Sequence, residues 1–186
     1  MLDDVYDAFL DKFVPAMRES VLREPTDPAT RFGPLSSQSV VDDLVEQIDD
    51  ALAKRATLHT GGRLSDGQDT YYQPGVLTGV TPEMRAYSEE LFGPVAVVYR
   101  VASAEEAVAL ANESPYGLAA SIYTADVEHA RALAKDLESG MVWINGTSKS
   151  APDLPFGGVK RSGVGRELSK FGIDEFANKK LVRIPH

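Results

Sequence analysis

Residues 95–144 read VAVVYRVASAEEAVALANESPYGLAASIYTADVEHARALAKDLESGMVWI, and this stretch decides the fold. Val95 to Val101 is a β-branched run that reads as a strand. Ser103 to Asn112 reads as a helix, with Ser103 in the N-cap position and Glu105 and Glu106 in the first turn, where carboxylates complement the helix dipole. Ala119 to Tyr123 is a second apolar run, Asp126 to Leu137 a second helix, and Met141 to Ile144 a third strand. Strand, helix, strand, helix, strand is the signature of parallel βαβ units. Strands buried on both faces are expected to be continuously apolar, and these are. Right-handed crossovers then give an α/β fold, an open twisted mostly parallel sheet with flanking helices.

Upstream, Val5, Phe9, Phe13 and Met17 recur at four-residue steps, so Val5 to Met17 reads as an amphipathic helix whose apolar face needs a partner. After the turn-rich Pro25-Thr26-Asp27-Pro28, a second helix is expected from about Ser37 to Arg55, with Val40, Val41, Leu44, Ile48 and Leu52 on one side. Gly61-Gly62 and Asp66-Gly67 then punctuate a short irregular stretch. Downstream, Gly146 to Ser162 is rich in Gly, Pro and Ser and lacks periodicity. A short helix near Glu167 to Phe171 and a final strand, Lys180 to Ile184, close the chain. That strand either pairs at an edge of its own sheet or augments a sheet in another chain.

Composition bounds the chemistry. The 186 residues, 43% hydrophobic and 25% charged, suffice for one substantial core and exclude a disordered chain, but leave no room for the two full lobes of most dinucleotide enzymes. Cysteine is absent, which removes disulfides, cysteine-ligated zinc, iron–sulfur clusters and thiol nucleophiles from this chain. His59, His129 and His186 stand far apart without ligand spacing, so no metal is expected. Residues 157–186 hold seven basic and three acidic side chains, against 12 basic and 25 acidic in the first 156. Such an acidic body repels phosphate and argues against nucleic-acid binding. An acidic N-terminus and a longest apolar run of only Pro94 to Tyr99 point to a soluble cytoplasmic protein with no membrane partner.

Standard motifs fail in the 146–168 stretch. Gly146-Thr147-Ser148-Lys149-Ser150 resembles a nucleophile elbow but ends in Ser where Gly is required. Gly158 to Gly163 has phosphate-loop spacing, yet Val164-Gly165 replaces the Lys and Ser/Thr. Gly163-Val164-Gly165 begins a dinucleotide fingerprint that Leu168 breaks. What remains is a glycine-dense basic loop whose backbone either approaches something closely or moves freely at the surface.

Three segments carry a resemblance: Glu89-Glu90-Leu91-Phe92-Gly93-Pro94-Val95, Asn112-Glu113-Ser114-Pro115-Tyr116-Gly117-Leu118-Ala119-Ala120, and Leu154-Pro155-Phe156-Gly157-Gly158-Val159-Lys160-Arg161-Ser162-Gly163-Val164-Gly165-Arg166-Glu167. In this order and spacing they resemble the C-terminal part of the aldehyde dehydrogenase superfamily. Asp153 to Glu167 followed by Phe171-Gly172-Ile173 looks most like its succinate-semialdehyde dehydrogenase branch. The resemblance implies a partial catalytic domain over residues 1–178 and a C-terminal oligomerisation strand over 179–186. It also implies an NAD- or NADP-dependent oxidation of an aldehyde, in which a cysteine attacks, amides hold the oxyanion and a glutamate activates water. Those groups and the cofactor domain precede the region matched here, which agrees with the absence of cysteine.

By the resemblance, Glu90 grips the nicotinamide ribose and Phe92 packs beside it. A carboxylate suits that role because it can accept from two vicinal hydroxyls. Phe156 matches an aromatic of the substrate tunnel, Glu167 a second glutamate that relays protons, and Arg166 its structural neighbour. Ser150 is a candidate contact for a substrate carboxylate. Arg55 stands where relatives often carry glycine, and a non-glycine residue there pays for positive φ. The leading expectation is a truncated aldehyde dehydrogenase, inactive alone. Two others are a subunit completed by an N-terminal-half chain, and a noncatalytic module joining intact relatives in an oligomer.

Overall fold

The computed structural model describes residues 1–20, 22–63 and 70–185. Its contacts divide the chain into two compact units, Met1–Ser103 and Ala104–His186. The first contains α1 (Asp3–Arg18), α2 (Gln38–Ala53), β1 (Thr57–Arg63), β2 (Tyr72–Thr78), α3 (Arg85–Ser88) and β3 (Val95–Val98). The sheet runs β1-β2-β3, with β1 antiparallel and β3 parallel to the central β2.

Successive residues of a strand face opposite sides, and β2 uses this to seat both long helices. Val76 packs with Tyr6, Phe9, Leu10, Phe13, Val14 and Met17 of α1. The next residue, Leu77, packs with Leu44, Ile48 and Ala51 of α2. The buried stripe of α1 thus begins at Tyr6, while Val5, expected on it, is 46% exposed. Leu52 of α2 also faces outward, and Gln47 takes a buried place in the stripe instead. Ser37 caps α2 by accepting from the Val40 N–H.

One strand, β1, runs into the stretch expected to be irregular, and a second, β2, follows where the sequence suggests no element. Gly61 lies so close to β2 that a Cβ there would fall 2.6 Å from the Cα of Gly75, so this crossing requires glycine. Pro74-Gly75 looks like a strand breaker, but pairing steps from Thr60↔Val76 to Gly62↔Gln73, so the dipeptide sits in an irregularity where proline's missing N–H costs no ladder bond. Asp66-Gly67 lies outside the described residues. Arg55 follows α2 at φ 76°, the left-handed geometry anticipated for it. The Ala56 N–H donates to Ala51 O (2.9 Å) and the Arg55 N–H to Leu52 O (3.0 Å), the paired bonds of a Schellman cap.

The second unit holds α4 (Ala104–Asn112), β4 (Tyr116–Gly117), β5 (Ala119–Ile122), α5 (Val127–Asp136), β6 (Met141–Ile144), β7 (Val159–Lys160) and α6 (Ser169–Glu175). β5, α5 and β6 form the expected parallel βαβ unit, in register from Ala119↔Met141 to Ile122↔Ile144. Asp126 caps α5 through the His129 N–H (2.9 Å). Beyond the last pair, the Asn145 amide donates to Thr124 O and accepts from Thr124 N, each at 2.9 Å. Trp143 Nε1 is buried without a hydrogen-bond partner among the described residues.

The glycine-dense loop is tied down. A Cβ on Gly140 would collide with the Gly157 carbonyl, and one on Gly117 would meet the Glu138 carbonyl at 2.5 Å. Lys160, on β7, donates to Asn112 O (2.6 Å) and Ser114 O (3.1 Å) and pairs with Glu138 (2.7 Å). The last helix starts two residues later than expected, because Leu168 and Ser169 both take positive φ, 60° and 52°. Residues Lys180 to Ile184 form no strand in this chain, so pairing at an edge of its own sheet is not realised. An isolated strand leaves its N–H and C=O groups to water, and here Leu181, Val182 and Ile184 are 89%, 77% and 81% exposed.

Candidate functional site

The polar edge of α2 and the segment entering β3 build the best-defined site in the first unit. Asp50 accepts from the Arg85 N–H (2.9 Å) and pairs with Lys54 (2.7 Å), whose ammonium also donates to Glu83 O. Arg85 Nε reaches both oxygens of Glu89 at 3.0 Å, and its Nη1 reaches Glu46. Gln47, 6% exposed, donates to Glu89 Oε2 (2.9 Å) and to the Glu90 carbonyl (3.3 Å). The Arg85 and Gln47 donors hold the Glu89 carboxyl below the usual glutamate range. The Lys54 and Arg85 donors do the same for Asp50.

From this platform the chain turns at Leu91-Phe92-Gly93. A Cβ on Gly93 would overlap Leu44 Cδ2, so glycine lets the turn settle on the core of α2. Glu90 and Phe92 project from the turn into a cleft of about 500 Å³ that Phe32, Gly33, Pro34 and Val40 also line. Phe92 is 65% exposed, and the Glu90 carboxylate makes no hydrogen bond or ion pair among the described residues. An open carboxylate beside an exposed aromatic ring can hold two neighbouring hydroxyls while the ring covers an adjoining flat group.

In the second unit, Phe156 and Glu167 come together by backbone pairing, with the Phe156 N–H donating to Glu167 O (2.9 Å) and the Glu167 N–H returning to Phe156 O (2.7 Å). Arg166 Nη1 ties this junction to Gly158 O (2.9 Å) and Gly165 O (2.6 Å). Phe156 is half-buried and the Glu167 side chain exposed. Ser150 is exposed in the preceding loop. Among the described residues, no three His, Asp or Glu side chains gather as metal ligands. Arg85, Glu89 and Gln47 are not among the functional residues that the sequence singles out. The available signal was Gln47 itself, a polar residue at apolar spacing between Leu44 and Ile48.

Residues 1–182 match the aldehyde dehydrogenase family. The chain belongs to that family. Across 98% of its length it is 54% identical to a succinate-semialdehyde dehydrogenase [NADP(+)] of Deinococcus radiodurans. It spans 38% of that relative. The solved succinic semialdehyde dehydrogenase of Streptococcus pyogenes, in complex with NADP+, superposes with a TM-score of 0.94 at 41% identity, covering 100% of this chain and 41% of that one. A betaine aldehyde dehydrogenase of Staphylococcus aureus, in complex with NAD+, gives a TM-score of 0.88 at 34% identity over 94% of this chain and 36% of its own. The chain therefore spans about two fifths of the aldehyde dehydrogenases it matches. The match bears out the α/β aldehyde dehydrogenase fold and its resemblance to the succinate-semialdehyde branch. No helix among the described residues is long and apolar enough to cross a membrane.

Proposed function

We propose that this chain supplies the nicotinamide-ribose grip and part of the substrate tunnel of an NAD(P)-dependent aldehyde dehydrogenase acting on succinate semialdehyde. The observation that carries the reading is the open Glu90 carboxylate beside Phe92 at the mouth of the cleft. The residues present fit a ribose: one carboxylate accepts from two vicinal hydroxyls, and Phe92 packs against the sugar. When bound, the nicotinamide takes the hydride from the substrate. Glu90 orients it, Phe156 lines the path of the aldehyde, and Glu167 passes protons at the junction that Arg166 braces. Ser150 contacts the substrate carboxylate. Similarity to succinate-semialdehyde dehydrogenases supports the substrate.

With no cysteine for nucleophilic attack, the chain alone does not turn over. Purified chain mixed with succinate semialdehyde and NADP+ is expected to give no NADPH. Aldehyde-dependent NADPH formation by the chain alone would overturn the inactivity. β-Nicotinamide mononucleotide titrated into the labelled chain is expected to shift amide resonances around Glu90 and Phe92. A chain carrying Glu90→Gln should lose those shifts, and their persistence would refute the ribose assignment.

A second reading, assembly with a cysteine-bearing N-terminal-half chain or with further copies through residues 179–186, draws support from the exposed Leu181, Val182 and Ile184. Activity that arises only when the two halves are mixed would establish it, and failure to associate at micromolar concentration would refute it.

A further inference from the structure

Gln47 is 6% exposed and sits in the apolar stripe of α2 between Leu44 and Ile48, where an aliphatic side chain would simply extend the core. A buried amide persists in such a place when its hydrogen bonds are made. Both Nε2 donors are used, one on Glu89 Oε2 at 2.9 Å and one on the Glu90 carbonyl at 3.3 Å. Arg85 grips the same Glu89 carboxylate at 3.0 Å and in turn meets Glu46. Glu89 is therefore clasped by α2 on one side and by α3 on the other. Its backbone is extended, at φ −92° and ψ 150°, and extended backbone sends consecutive side chains apart. Fixing Glu89 on α2 leaves Glu90 to point elsewhere, and Glu90 lines the cleft with its carboxylate unengaged.

We infer that Gln47 is the positioning residue for Glu90. By pinning the Glu90 carbonyl and the neighbouring carboxylate, it fixes the angle at which Glu90 meets a vicinal diol. The amide itself does not touch the ligand. The inference rests on the proposed ribose-binding role of Glu90 and adds the residue that holds it ready.

The test uses the full chain, β-nicotinamide mononucleotide as the probe, and two measurements on each variant. Gln47→Met keeps length and burial but removes both donors. It is expected to weaken mononucleotide binding by about five- to tenfold, the size of one ordinary net hydrogen bond. It should also speed amide exchange at residues 89–93 while leaving exchange within α2 and the urea midpoint near wild type. Gln47→Leu, close in volume and likewise without a donor, should give the same pattern and serves if the Met variant folds poorly. Unchanged binding together with unchanged exchange at 89–93 overturns the inference. So does a general loss of stability in which α2 and residues 89–93 loosen equally, because that marks packing alone. If the mononucleotide fails to bind the wild-type chain, the ribose reading falls separately. Exchange at 89–93 then decides Gln47: faster exchange in the variants upholds positioning, and unchanged exchange refutes it.

Discussion

In the first unit Val41, Leu44, Ile48, Val76 and Leu77 are each at most 3% exposed, whereas in the second Ala130 is the one apolar side chain buried to that degree among the described residues. Fully burying one Leu contributes about 1.5–3 kcal/mol, so the first unit has a core that can carry its own site. Glu90 and Phe92 stand on that core through Leu44 and Gly93. The second unit relies on backbone crossings at glycine and on polar clasps from Asn112, Asn145 and Lys160. Phe156 and Glu167 stand on those crossings. The difference teaches that one fold can hold its candidate site residues by side-chain packing in one region and by main-chain contact in another. The two anchorages should fail differently.

The largest effects come from attacking each anchorage directly. Leu44→Ala is expected to cost about 3 kcal/mol through the cavity it leaves, and Gly140→Ala about as much through collision with the Gly157 carbonyl. Urea unfolding followed by circular dichroism reads both. The pair parts company on rescue. Gly93→Ala, crowded only by the Leu44 side chain, should be costly in the wild type. It should be milder by about 1 kcal/mol when combined with Leu44→Ala, since the obstructing atoms are gone. No side-chain truncation should rescue Gly140→Ala, because its obstacle is backbone. Additivity of Gly93→Ala and Leu44→Ala would refute the distinction.

Arg55→Gly should raise the urea midpoint, by about 1 kcal/mol in stability, because glycine adopts the left-handed C-cap geometry without a Cβ penalty. An unchanged or lower midpoint would mean that the Arg55 side chain compensates for its strain.

Acid should act with the smallest effect, and on the first unit. The Asp50 and Glu89 carboxyls are depressed in the folded state, so the stability they add is present above their unfolded values, about 3.8 and 4.5, and is lost as pH falls through their folded values. Amide protection in α2 and α3, measured relative to the intrinsic exchange rate at each pH, should fall below pH 4.5 in the wild type, and should fall less in a chain carrying Glu89→Gln. Equal acid sensitivity in both chains would remove Glu89 as a source.

The sequence displayed the second unit well because its βαβ step obeys local periodicity, with Asp126 and the apolar runs in their expected places. It concealed β1 and β2 because Gly61, Gly62, Pro74 and Gly75 are chosen for a close strand crossing and an irregular register, which are tertiary demands written in residues that locally signal turns. The shift of the α1 stripe from Val5 to Tyr6 has a similar origin, since sequence spacing cannot say which of two neighbouring stripes meets Val76 and Val98. Glu90 was legible through its motif, but the clasp behind it was not. Gln47 and Glu89 are 42 positions apart, and only the fold brings their side chains within 2.9 Å.

Trp143 is the only tryptophan in the chain, and its indole N–H is buried without an acceptor among the described residues. An indole nitrogen shielded from water and free of hydrogen bonding shifts emission toward the blue, so fluorescence excited in the tryptophan band is in effect a one-residue optical record of the β5–β6 ladder. Any partner that places a carbonyl or a water beside that nitrogen would announce itself as a colour change, without a label and without turnover.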